Sequence, residues 1–352
     1  MNNFFLLIIY LSFTPSLFSQ YTDQINSNRP GYSIGAFSVG KGVVQVESGF
    51  EFRNYKHDRY NQSTINGTLA FMSIRWGFLF EQLELTYDGS FMSDTFTNKL
   101  LSPQTETKRS GFLQNFLGIK YLIYDPFKKE IEINPYSWKE NNKFKIKDLI
   151  PAVSLTIGAN FDPFIEETPY PNGDVFGVLY MPGFEQNLFT EVPLPSPLTL
   201  MGTLATQSHF LSTWVFVTNF SLKRYLSDFI EKNLILTLTH AYSPVWSVYI
   251  ENHIVSSEIY SDNILRAGTA YLVGRNLQVE ATFGTNTNTS PSFISVNAGA
   301  SYRVDFHKSY KNPLKKQKKK DKKDEKALKK RMRKEAKEAK KRDKRARKKP
   351  KN

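Results

Sequence analysis

The chain has 352 residues, no cysteine, 28 Phe, 18 Tyr and a formal charge of +14. Without cysteine it can hold neither a disulfide framework nor a thiolate metal site. The charge is misplaced as a global property: residues 314–352 carry 23 of the 47 Lys+Arg and only 6 of the 33 Asp+Glu, so the remainder is slightly acidic.

The chain opens with "MNNFFLLIIYLSFTPSLFSQ", whose apolar run from Phe4 to Phe13 has small residues after it at Ser16 and Ser19. A run of this length suits a secretory leader and is too short for a spanning helix, which needs roughly 20 residues. Residues 1–19 are expected to be a signal peptide cleaved after Ser19. Residues 20–42 follow as a periplasmic or plug segment. Within it, Asn28, Arg29, Pro30 and Gly31 are either a plug or gating element in a lumen or the turn that leads into the first strand.

From residue 43 the dominant signal is alternation with period two, the mark of strands with unlike faces. Val44, Val46, Phe50 and Phe52 oppose Gln45, Glu47, Glu51 and Arg53. The same pattern returns at 83–91, 153–161, 246–254, 277–283 and 294–306. Noisier runs lie at 65–76, 111–123, 198–207, 211–222, 233–240 and 264–273. The count is about twelve strands, several of ten residues or more, the length a tilted strand needs to cross a bilayer. Aromatic residues near run ends, among them Trp76, Tyr87, Phe91, Tyr121, Tyr124, Trp246 and Tyr302, suit interfacial girdles. Residues 77–79 and 274–276 are expected as tight turns, and 92–110 and 162–197 as long loops. The connection 125–148 is long for the side that an even strand count gives it.

A sheet with an apolar face outward and charges inward needs lipid on one side and enclosed water on the other, and only closure leaves no unpaired edge. The fold class is therefore all-β, a transmembrane antiparallel barrel over 43–306. Its inward face carries Glu47, Glu51, Arg53, Arg75, Glu84, Asp88, Lys120, Glu251, Arg266, Glu280, Arg303 and Asp305. These either line a pore or form ion pairs that fill a narrow barrel.

Residues 307–352 form a basic tail rich in helix formers but lacking an apolar stripe, so a helix there has no core to pack on. The expectation is a helical or disordered periplasmic tail. Anionic polymers such as peptidoglycan are candidate partners. Nucleic acid is disfavoured by export and by the lack of interleaved aromatic residues.

The two ends of the barrel region also resemble a known family. "INSNRPGYSIGAFSVGKGVVQVESGFEF" (25–52) carries Asn28-Arg29-Pro30-Gly31, Gly40-Lys41-Gly42 and Gln45-Val46-Glu47-Ser48-Gly49. "LRAGTAYLVGRNLQVEATFG" (265–284) and "NAGASYRV" (297–304) complete it. Both resemble outer-membrane transporters of the MetA-pathway of phenol degradation family. The resemblance covers most of residues 22 to 306 and implies a Gram-negative, Bacteroidetes-like outer-membrane barrel inserted by the barrel-assembly machinery. Such barrels end on an aromatic residue. Phe306 would be that residue, yet 46 residues follow it.

The functional expectation is a passive channel or transporter for a small solute, hydrophobic or aromatic in character, in the cell outer membrane with outer-membrane lipid around it. The alternative is a structural barrel with a closed lumen and a tail tethered to periplasmic anions. An enzyme is not expected. The remote version would be an acyl hydrolase pairing His253 and Glu251 with Ser247 or Ser295. The five histidines lack metal-ligand spacing, so no metal or cofactor is expected.

Overall fold

The structure is a computed structural model. It describes residues 24–306 except 30, 59–61, 101, 129–148, 163–167, 171–172, 174, 177–195, 228–229 and 258–260. The leader at 1–19, Pro30, most of the 125–148 and 162–197 connections, and the tail at 307–352 thus lie wholly or partly outside the described residues.

Twelve strands close on themselves: β1 (Val43–His57), β2 (Ser63–Gly77), β3 (Leu83–Asn98), β4 (Thr105–Tyr124), β5 (Ala152–Phe161), β6 (Leu198–Phe210), β7 (Trp214–Tyr225), β8 (Glu231–Ala241), β9 (Trp246–Ser256), β10 (Ser261–Val273), β11 (Leu277–Asn286) and β12 (Ser292–Asp305). Each pairs antiparallel with its sequence neighbours, and β1 pairs with β12 from Val43↔Asp305 to Lys56↔Ser292, which closes the barrel. The start of β1 and the end of β12 therefore share one rim, called here the terminal rim. The turns 78–82, 211–213, 242–245 and 274–276 lie on it too. No helix among the described residues is long and apolar enough to cross a membrane.

The period-two pattern sorts as its chemistry requires. Phe50, Phe52, Ile157, Ile250, Phe283 and Val296 are each more than half exposed on the outer face. On the same strands Glu47, Glu51, Thr156, Glu251, Thr282 and Ser295 are buried inside. A soluble sheet would invert this arrangement. Here the outer apolar face meets hydrocarbon, and closure leaves no backbone donor or acceptor at a sheet edge.

Two expectations change. Residues 92–110 are not a long loop: β3 runs to Asn98 and β4 starts at Thr105, so a short hairpin joins them. Tyr87 and Phe91 consequently sit inside β3 and not at its end. The reason is visible in the burial. Beyond Phe91 the faces swap character: Met92 is fully buried and Phe96 packs inward beside it, whereas Ser93, Glu106 and Lys108 are exposed. This part of the wall rises past the apolar belt, where water replaces lipid on the outside. The noise at 111–123 also has a cause, a bulge that leaves Leu113 without a partner on β3.

Candidate functional site

The N-terminal segment before β1 lies inside the barrel, and the inward polar residues hold it there. It enters at the terminal rim, where the Ile25 amide donates to the Arg275 carbonyl (2.9 Å). The hydroxyls of Ser27 and Ser301 are 2.8 Å apart. The Asn28 amide donates to Glu47 Oε1 (3.2 Å), and Gln278 donates to the Arg29 carbonyl (2.8 Å). At the innermost turn the amides of Tyr32 and Ser33 both donate to Glu251 Oε2, at 2.8 and 3.2 Å. Gly31 makes this possible: a β-carbon there would sit 2.5 Å from the same carboxylate oxygen. The segment then returns. Asn219 on β7 reads both polar groups of Ile34, accepting from its amide at 2.6 Å and donating to its carbonyl at 2.8 Å. Gln207 on β6 accepts from the Ala36 amide (2.9 Å), and Glu84 accepts from Val39 (2.8 Å).

The segment has no secondary structure of its own, so its backbone groups need partners from elsewhere. The barrel's inward side chains supply them. Arg75 is the clearest case. Its Nε and Nη2 pair with Glu84 at 2.7 and 3.1 Å. Nη1 donates to the Asn26 carbonyl on the entering leg (2.9 Å), and Nη2 to the Phe37 carbonyl on the returning leg (3.1 Å). Lys120 Nζ donates to the same Phe37 carbonyl at 2.8 Å and lies 3.9 Å from Glu84.

The expected inward residues gather into three groups. Glu47, Arg75, Glu84 and Lys120 form the first, near the terminal rim, with Arg29 at 4.0 Å from Glu47. Glu51 and Arg53, 2.7 Å apart, form the second, with the Tyr32 hydroxyl bonded to both. Glu251 and Arg266, 3.2 Å apart, form the third, with Thr237. Burial, then the charge of Glu51, raises the Tyr32 hydroxyl above the ordinary phenol range. Arg303 and Glu280 are buried, Asp88 is half-buried, and Asp305 ends β12 at the rim. Of the four segment residues singled out from sequence, Asn28, Arg29 and Gly31 lie in the lumen, with the Arg29 guanidinium 3.9 Å above the Phe71 ring. Sequence reading missed Tyr32, Gln207 and Asn219, because a neutral polar residue at an inward position looks the same whether or not it grips a peptide.

Above the segment, a cavity of about 270 Å³ is bounded by Arg29, Tyr32 and Ile34 below and by Leu69, Phe71, Met201, Thr203, Ile235 and His253 around it. Further from the terminal rim the interior turns apolar. Ile65, Leu69 and Met92 pack against Tyr170 and Phe176 of the connection between β5 and β6. Nearby, Arg109 pairs with Asp94 at 2.7 Å and faces the rings of Phe96 and Tyr170 at 5.2 Å. The described part of this connection therefore contributes to the lumen.

His253 bonds Asn233 (2.8 Å) and Arg266 (3.3 Å), and among the described residues no hydrogen bond joins it to Ser247 or Ser295. No cluster of three or more His, Asp or Glu fit to hold a metal occurs among the described residues.

Residues 27–165 and 198–304 match the model of the family described as "Putative MetA-pathway of phenol degradation". The chain belongs to that family. The match spans both the lumen segment from Ser27 onward and all but the last residue of the barrel wall. No curated protein matches the sequence. Among solved structures, the chain is similar to an outer membrane channel from Pseudomonas putida F1 (8% identity, 80% of this chain and 100% of that one, TM-score 0.48). It is also similar to the translocator domain of autotransporter NalP from Neisseria meningitidis (8%, 79% and 90%, 0.43) and to the NanC porin (7%, 72% and 100%, 0.39). With its apolar outer surface and polar interior, this family member is a closed twelve-stranded outer-membrane β-barrel, surrounded by outer-membrane lipid.

Proposed function

We propose that the barrel is a passive outer-membrane channel for a small solute of hydrophobic or aromatic character, closed at rest by residues 24–42. The observation that carries this reading is the lumen cavity directly above the segment's innermost turn. Its wall joins apolar groups (Leu69, Phe71, Met201, Ile235) to neutral hydrogen-bonding ones (Thr203, Asn219, Ser221) and to charged ones of both signs (Arg29, Glu47, Arg53, Asp88, Lys223). A small molecule with both apolar and polar groups fits such a surface. The terminal rim faces the periplasm in this reading, so the segment blocks the exit and must shift for passage. Its grip combines hydrogen bonds from the wall with the packing of Ala36 and Phe37 against Leu122 and Ala152.

A second reading, a structural barrel whose lumen stays shut, draws on the same density of contacts around Arg75 and Glu251. In that case the basic tail at 307–352, outside the described residues, would tether the membrane to periplasmic anions such as peptidoglycan. The barrel-assembly machinery would insert the chain in either case.

Planar-bilayer conductance of the full mature chain separates the two. A channel gives discrete openings that become more frequent in Asn219→Ala, which loses both bonds to Ile34. A silent wild type and a silent variant would overturn the channel.

A further inference from the structure

The outside of the wall carries a groove of its own, toward the rim opposite the terminal one. It has a volume of about 700 Å³ and runs over β12, β1, β2, β3 and β4. The antiparallel register sets its surroundings out in rungs. The rung below it is apolar, with Phe50, Ala70, Phe91 and Phe112 side by side and the last two rings 5.2 Å apart. The next is mixed, with Val296 and Phe52 beside Thr68 and Ser93. The third passes from Ile294 through Asn54, Asn66 and Thr95 to Lys108. Thr68 and Ser93 are small, whereas Phe52 and Lys108 stand tall on either side, and this contrast makes the hollow.

The groove lies where the apolar belt ends. Its occupant therefore has hydrocarbon level with Phe52, Ile294 and Val296, each more than half exposed, and polar groups level with Asn54 and Lys108. The charge on offer is positive. Arg53 and Asp94 at the groove's edge are met inside the barrel by Glu51 and Arg109, at 2.7 Å each. Among the described residues no ion pair includes Lys108, or Lys56 one rung further out. The carboxylates of Asp58 and Glu106 lie two residues beyond these lysines, further from the lipid. Lys56 and Lys108 flank the hollow three strands apart, roughly 14 Å at ordinary strand spacing. Between them stand the amides of Asn54 and Asn66, bonded to each other, and the hydroxyls of Thr68, Ser93 and Thr95.

We propose that this groove binds an anionic glycolipid of the outer leaflet, with its acyl chains over Phe52, Ile294 and Val296, its saccharide over Asn54, Asn66 and Thr95, and its phosphates at Lys56 and Lys108. Two anions joined by hydroxyl-bearing rings match two cations separated by amides and hydroxyls. A phospholipid with one phosphate reaches one lysine and leaves the amide rung to water. The assignment rests on the orientation given above, with the terminal rim toward the periplasm, and is independent of whether the lumen conducts.

The basic tail also attracts anionic lipid, so the test reads the groove alone. Ser93→Cys is placed in the full mature chain, which is otherwise free of cysteine, and its labelling by a water-soluble maleimide is followed in detergent. Bisphosphorylated lipid A should slow labelling saturably. It should leave Ser256→Cys, exposed at the end of β9 on another part of the wall, unaffected. Lipid A stripped of its phosphates, and phosphatidylglycerol, should each need about tenfold more for the same protection. Lys56→Gln/Lys108→Gln should raise the half-saturating concentration of lipid A by about tenfold or more, at about fivefold for each cation near a lipid surface. Thr68→Trp, which fills the hollow and keeps both lysines, should abolish protection. Equal protection by phosphatidylglycerol, or protection indifferent to the lysine pair, would overturn the proposal. Orientation is read separately, from Gln104→Cys in the hairpin between β3 and β4. Labelling of Gln104→Cys by an impermeant maleimide in intact cells supports the outer leaflet. Labelling only after permeabilisation would overturn the orientation and the outer-leaflet lipid with it, whereas a barrel silent in bilayers would sink the channel and leave the groove standing.

Discussion

Arg75 and Glu84 form a two-point ion pair across β2 and β3, with Nε–Oε1 at 2.7 Å and Nη2–Oε2 at 3.1 Å, both side chains almost fully buried. Neither charge is spent on its partner alone. Arg75 also holds the carbonyls of Asn26 and Phe37, and Glu84 holds the amide of Val39. The pair is therefore a clasp on both legs of the lumen segment. Arg75→Ala leaves Glu84 only Lys120 as a cation, at 3.9 Å, and removes one of two donors from each of the Asn26 and Phe37 carbonyls, which keep Gln45 and Lys120. Removing one partner of a buried pair costs roughly 3–5 kcal/mol. The expected result is a fall of that size in unfolding free energy by urea titration in detergent, with greater protease access to residues 24–42.

Glu251 gathers the innermost turn in the same way, accepting from Tyr32, Ser33 and Thr237 and pairing with Arg266. Gly31 leaves room for it. Gly31→Val should expel the turn from the lumen while the barrel still folds. Heat-modifiable migration on gels should stay as in the wild type, while bilayer openings become more frequent. Glu251→Gln retains an acceptor but loses the charge opposite Arg266, and should give a smaller change in the same direction.

The outer face yields a prediction of opposite kind. Ile157 lies midway along β5 and is more than half exposed. Ile157→Arg places a cation in hydrocarbon and should cost about 2–4 kcal/mol, against about 0–1 kcal/mol for Tyr124→Arg at the end of β4. Folding titrations into liposomes would measure the contrast. Equal costs at the two sites would mean that this face does not meet lipid.

Met92 tests the apolar part of the interior. It is fully buried and packs with Ile65, Leu69, Tyr170 and Phe176. Met92→Ala should cost about 2–5 kcal/mol as a core truncation. Were the contacts of Tyr170 and Phe176 with the wall absent in the membrane, the loss would fall well below that range in the same urea titration.

Most of the wall was legible in sequence because lipid and lumen impose opposite chemistry on alternate residues, as at Val46, Glu47, Phe50 and Glu51. The reading failed where that contrast reverses. In β3 beyond Phe91, the inward Met92 is apolar and the outward Ser93 polar, so the stretch lacks the membrane signature and reads as a loop. The charges at Glu47, Arg75, Glu84 and Glu251 could be placed inside, but not their purpose. Alternation fixes which way a side chain points; it says nothing of what lies opposite. The partner here is a backbone, which has polar groups at every residue and leaves no composition signal. Asn28 to Gly31 hinted at it, and Tyr32, next in line, did not.

The central claim is that residues 24–42 obstruct the lumen and must withdraw for a solute to pass. Ser27 and Ser301 offer the most direct test, since their hydroxyl oxygens are 2.8 Å apart and the chain has no other thiol to interfere. Joining them as a disulfide in Ser27→Cys/Ser301→Cys pins the segment to β12. Single-channel recording should then show openings suppressed in the oxidised protein and restored to the wild-type level by reductant. Undiminished conductance with the disulfide intact would contradict the account.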